Sequence, residues 1–89
     1  MHCIPVPLEK IVKKLIYANS ELIFKNSREK AVEILKTITS DFCLENNNED
    51  KVDKVTVKAI HDKKAVLVEL KVEKSRINDW WLVTMTPYL

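Results

Sequence analysis

The chain has 89 residues, 46% of them apolar and 31% charged, with 15 basic and 13 acidic side chains and a formal charge of +2. That length makes one domain near the lower limit for a self-sufficient core, and the balance excludes a disordered chain. A charge this mild does not by itself imply nucleic acid, and the absence of glycine excludes Walker loops, dinucleotide fingerprints and nucleophile elbows in their standard forms.

In chain order, MHCIPVPLEK offers no basic segment followed by a long apolar run, so no signal peptide is expected. No apolar run approaches the roughly 20 residues of a membrane span. A soluble, cytoplasmic protein is the expectation. Pro5 and Pro7 keep the arm extended, and Pro7 suits a first helical position. Leu8, Ile11, Val12, Leu15 and Ile16 then recur at helical spacing, and the stripe continues to Leu22 and Ile23. This predicts a helix over 7–25, which Asn19-Ser20 could divide, because both side chains compete for backbone bonds. Asn26 with Glu29 three residues on suggests a capping box. Ala31, Ile34, Leu35, Ile38 and Phe42 place a second helix over 27–39. CLENNNEDKVDK, residues 43–54, reads as a solvated connector. Its spacing is not that of a calcium-binding loop, and the glycine of that loop is missing.

Beyond it the period changes to two. Val55, Val57 and Ala59 alternate with Thr56, Lys58 and Ile60; Val66, Val68, Leu70 and Val72 alternate with Leu67, Glu69, Lys71 and Glu73. With HDKK as the turn these make a hairpin, with strands over 52–60 and 65–73. A third strand over 80–86 follows SRIND, and Pro87 is expected to end it. Trp80 and Trp81 are adjacent, so in a strand they must face opposite ways. Register is needed to say which of them faces outward. The expected fold is α+β: two N-terminal helices packed on one face of a three-stranded antiparallel sheet. A winged helix competes, but the strands are long for a wing and a third strand with two tryptophans has no role in it.

Three phrases carry a likeness: ILKTITSDF, HDKKAVLVEL and NDWWLV. Together they resemble the C-terminal portion of domains with the cystatin-like fold, in its nuclear-transport-factor-two-like group. The resemblance covers about two-thirds of the chain and implies a curved sheet wrapped on a helix, frequently dimerised through sheet faces. Its motifs are core patterns. The aspartate-tyrosine sites of enzymatic members are not seen in this chain, so no active site carries over.

The candidate chemistry is sparse. His61 beside Asp62 could orient an imidazole for proton transfer, but no nucleophile is placed near them and turn residues are usually solvated. His2, Cys3, Cys43 and His61 lack the paired spacing of a zinc motif, so neither metal nor cofactor is expected. Cys3 lies in an arm and Cys43 in the connector, and they are expected as thiols not bonded to each other. Lys10, Lys13, Lys14 and Tyr17 share one side of the first helix. They suit either phosphate or plain solvent, and two arginines in the whole chain are few for reading bases.

The tryptophan pair is the strongest pointer to a working surface, since tryptophan is enriched at interface hot spots. The expected function is that of a small, non-enzymatic interaction or regulatory protein. It would self-associate, as a homodimer, or bind a protein partner through an open sheet face built from Trp80 or Trp81, Ile60 and Leu67, with Lys58, Glu69 and Lys71 as a charged rim. A cystatin-like ligand-binding or enzymatic module is the alternative. A weak nucleic-acid binder using the lysine stripe is a further one.

Overall fold

A computed structural model of the chain describes residues 3–22, 27–46 and 52–88. The elements run β1 (Val6–Pro7), α1 (Leu8–Leu22), α2 (Arg28–Thr39), β2 (Cys43–Asn46), β3 (Lys54–His61), β4 (Lys64–Lys74) and β5 (Trp81–Tyr88). The α+β class is as expected. The sheet is not: it has five strands and is mixed, in the order β1-β3-β4-β5, with β2 also on β3. β1 runs parallel to β3 through Val6↔Ala59 and Pro7↔Ile60. β2 runs antiparallel to the same strand through Cys43↔Lys58 and Leu44↔Val57, with an irregularity before Asn46↔Thr56. The two short strands therefore follow one another along one edge of β3. They give its outward N–H and C=O groups partners that a three-stranded sheet would leave to water.

This arrangement overturns the expectation for the cysteines. The arm is tied to the 59–60 end of β3 and β2 to its centre, which brings the Cα atoms of Cys3 and Cys43 to 5.4 Å, and the two are joined by a disulfide. Residues 43–46 were expected in a connector because a four-residue strand is too short to show a period. Residues 47–51, the rest of that connector up to the turn at Val52-Asp53, lie outside the described residues.

Helix α1 buries Ile11, Leu15 and Ala18, at i, i+4 and i+7. Ile16, counted in the same stripe, lies on the outer side and is exposed. The helix is not broken at Asn19-Ser20: Ser20 Oγ donates to Tyr17 O at 2.7 Å, and the Asn19 amide bonds to β5. The predicted extension over residues 23–25 lies outside the described residues. For α2 the cap is Ser27, whose hydroxyl accepts from Lys30 N–H; Asn26 is outside the described residues. Ala31, Val32, Leu35 and Ile38 face inward, and buried Thr39 donates its hydroxyl to Leu35 O at 2.7 Å. Both helices cover one face of the sheet, closing on Val57, Ala59, Val68, Leu70, Val72 and Val83.

The β3–β4 turn has only two residues, Asp62 and Lys63, between paired His61 and Lys64. Both have positive φ, 54° and 65°. That is the mirror-image turn that matches strand twist, made here without its usual glycine.

β5 does not stop at Pro87; it continues to Tyr88, with Pro87 opposite Val68. Val83 turns its N–H and C=O away from β4 toward Asn19. Pro87 is four residues on and shares that orientation, so its missing N–H falls on the outer side of an edge strand, where no ladder bond is lost.

Candidate functional site

The sheet has one face under the helices and one without a layer of its own among the described residues. Register gives the second face its rows. Ile60 pairs with Ala65; Lys58 with Leu67 and Leu67 with Tyr88; Thr56 with Glu69 and Glu69 with Thr86; Lys54 with Lys71 and Lys71 with Thr84; Glu73 with Leu82. Ile60, Lys58, Leu67, Glu69 and Lys71 thus share this face as expected. Their arrangement differs from a charged rim around an apolar centre. Glu69 and Lys71 sit mid-face on the central strand β4. Ile60, Leu67 and Tyr88 gather at one end, with exposures of 40%, 39% and 54%.

The tryptophans part as alternation requires. Trp81 pairs with Lys74, shares the parity of Val83 and packs half-buried against the core. It therefore lies on the helix-covered face and not on the open one. Trp80 precedes β5, its N–H held by Asn78 Oδ1 at 3.0 Å, and it stands exposed just beyond the Lys74↔Trp81 end of the sheet, the end away from Leu67. Its place is marginal, where a central one was expected.

The charges of the face answer one another. Lys54 is opposite Lys71, a repulsive pairing, yet neither lysine faces the other alone. Lys54 Nζ reaches Glu69 at 3.4 Å and Lys71 Nζ reaches Glu73 at 2.8 Å. Tyr88 donates its hydroxyl to Glu69, and Thr84 donates to Glu73 at 3.3 Å. Lys58 pairs with Glu45 of β2 at 3.4 Å, away from Glu69. The Tyr88 hydrogen bond and then Lys54 hold the Glu69 carboxyl below its usual range, and the same bond raises the Tyr88 phenol. The bond and charge of Lys71 lower Glu73, and Glu73 raises Lys71. These groups orient; in water such pairs add little stability.

A groove lies on the far side, between the helices. Lys10, Lys13, Lys14 and Tyr17 of α1 form one wall of this groove of about 590 Å³. Ile34, Thr37 and Ile38 of α2 form the other, over a floor at Ala18. The lysine side was legible in the sequence. The α2 wall was not, because Ile34 and Ile38 carry the same spacing as core residues.

His61 and Asp62 stand exposed at the β3–β4 turn. Among the described residues no group of three or more His, Cys, Asp or Glu side chains is gathered to hold a metal ion, and no helix is long and apolar enough to cross a membrane. Comparison with family models, curated proteins and solved structures finds no match to this chain. The cystatin-like resemblance therefore rests on its three sequence phrases.

Proposed function

We propose that this chain is a small non-enzymatic binding module, and that the open face of its sheet pairs with a second copy. The observation that carries the reading is the cluster of Ile60, Leu67 and Tyr88 on the face opposite the two helices, which no element among the described residues covers. Covering what Ile60 and Leu67 still expose contributes about 1 kcal/mol each, and a two-fold axis supplies every such contact twice. The charge pattern supports the same partner. Positive Lys71 lies between negative Glu69 and Glu73 along β4, so two copies related by a two-fold axis can set lysine against glutamate. The edge of β5 is a poorer route to assembly, being met by Asn19 and interrupted by Pro87.

Nucleic acid is not the partner in this reading. The cystatin-like family, whose members frequently dimerise through sheet faces, remains a proposal that agrees with it. The cytoplasmic expectation followed from the lack of a signal-peptide pattern and of a long apolar run. A Cys3–Cys43 disulfide is better kept in an oxidising compartment, since the cytosol reduces most such bonds.

Methyl resonances test the proposal. Those of Ile60 and Leu67 should shift on dilution through the micromolar range while those of core Leu35 and Val68 stay still. Identical spectra at every concentration would remove the second copy from the account.

A further inference from the structure

The groove between α1 and α2 is independent of the sheet face, and its chemistry is specific. Ile34 is only half-buried and Tyr17 is 78% exposed, so the groove offers apolar surface that the fold leaves open. Its rim is positive. Lys14 is answered by Asp41 at 3.4 Å, and Glu33, the one acidic residue of the groove among the described residues, is already 3.8 Å from Lys30. Lys10 and Lys13 have no carboxylate partner among the described residues.

We propose that this groove is a docking site for an acidic amphipathic helix of a partner protein. An apolar trough between two helices receives a third by its apolar stripe, the helix-in-groove mode of recognition. From Lys10 to Tyr17 the wall extends seven residues, about 10 Å along the axis, enough for two turns of a docked helix. Lys10 and Lys13 stand where glutamates flanking that stripe would meet them, which gives orientation and speed of encounter. A small molecule is a poorer occupant, because ligand pockets enclose most of their guest and this trough is open along its length. A bilayer is too flat to enter it. A duplex would gain phosphate contacts from the lysines but would leave the apolar floor unused.

The test uses the full chain with its disulfide intact, isotopically labelled. The probes are synthetic amphipathic helices of about 14 residues, with leucine on one face and glutamate beside it. The control peptide has lysine in place of glutamate. Vesicles of phosphatidylglycerol and a duplex DNA are titrated alongside. The acidic helix should move the amides of Lys10, Lys13, Tyr17, Ile34 and Ile38, and the basic helix should not. The double variant Lys10→Glu, Lys13→Glu leaves the core untouched and should unfold at the parent temperature, yet weaken the acidic helix by about tenfold or more. Equal binding of both helices, shifts elsewhere, or full affinity in the double variant would overturn the proposal. So would binding of vesicles or duplex with the acidic helix silent.

Discussion

The side-chain amide of Asn19 pairs with the backbone of Val83 in both directions. Asn19 Nδ2 donates to Val83 O at 2.9 Å, and Val83 N–H donates to Asn19 Oδ1 at 2.9 Å. One residue of a helix thereby stands in for the next strand. The bond pair fixes the far end of α1 on β5, while its start follows directly from β1 on the opposite edge. Helix α1 thus spans the sheet from one edge to the other, tied at both ends. The same contact occupies the exposed edge of β5, where another chain could otherwise add a strand.

Replacing Asn19 by Ala should cost about 2 kcal/mol, one for each part-buried bond lost. Asn19→Asp keeps an acceptor for Val83 N–H but sets a carboxylate against Val83 O, and should be no better than Ala. Urea unfolding measures both. A midpoint unchanged in Asn19→Ala would mean that water replaces the amide without loss.

Loss of the disulfide should be felt throughout the fold. Cys3 and Cys43 close a loop with a sequence separation of 40. On a chain-entropy basis such a bridge contributes about 4 kcal/mol in a domain this small. Thermal unfolding with and without reductant should differ by well over ten degrees (about 4–8 °C per kcal/mol at this size). Alkylation of the unreduced chain should add no label to either cysteine.

The β3–β4 turn offers a gain. Asp62 and Lys63 hold positive φ without being glycine, and a left-handed residue costs about 1–2 kcal/mol. Lys63→Gly removes that strain, and the added freedom of the unfolded chain offsets about 0.5–1 kcal/mol. The variant should be more stable by up to about 1 kcal/mol. Destabilisation would show that the Lys63 side chain contributes more than its backbone strain.

Tyr88 and Glu69 link the open face to pH. Glu69 titrates below its usual range, chiefly because Tyr88 donates to its carboxylate. Its contribution to stability is therefore present above the ordinary carboxyl range and lost as pH falls through the lowered value. The Tyr88 phenol is raised, so its contribution holds below its ordinary value and is lost as pH climbs through the raised one. In Tyr88→Phe the Glu69 carboxyl should move up, with burial pushing the same way and Lys54 and Lys71 opposing it, and the alkaline loss should vanish. Carbon-detected titration of Glu69 reads the change; an unmoved carboxyl would assign the shift to the lysines, Lys54 and Lys71.

Much of this was legible in the residues, for definable reasons. Val66, Val68, Leu70 and Val72 alternate cleanly, so β4 and its two faces follow from period alone. Ala31, Leu35 and Ile38 do the same for α2. Val6–Pro7 and Cys43–Asn46 were missed because two and four residues carry no period; only their pairing with β3 makes them strands. The disulfide was missed with them, since the contact of Cys3 with Cys43 exists only once both strands are in place. Alternation required Trp80 and Trp81 to part. Choosing between them needed the Lys74↔Trp81 register, which a sequence does not contain. The groove was half visible, as a lysine stripe whose facing wall on α2 had the spacing of a core.

Sedimentation velocity of the wild type beside Leu67→Asp tests the central claim most directly. Leu67 is 39% exposed on the open face, so an aspartate there is solvated in the monomer and buried uncompensated in a face-to-face dimer. The account predicts a dimer for the wild type at micromolar concentration and a folded monomer for Leu67→Asp, with a lower unfolding temperature because the stabilisation by the second copy is lost. Trp80→Ala, at the margin of the face, should weaken the dimer less than Leu67→Asp does. A wild type that sediments as a monomer at the highest concentration attainable would contradict the account.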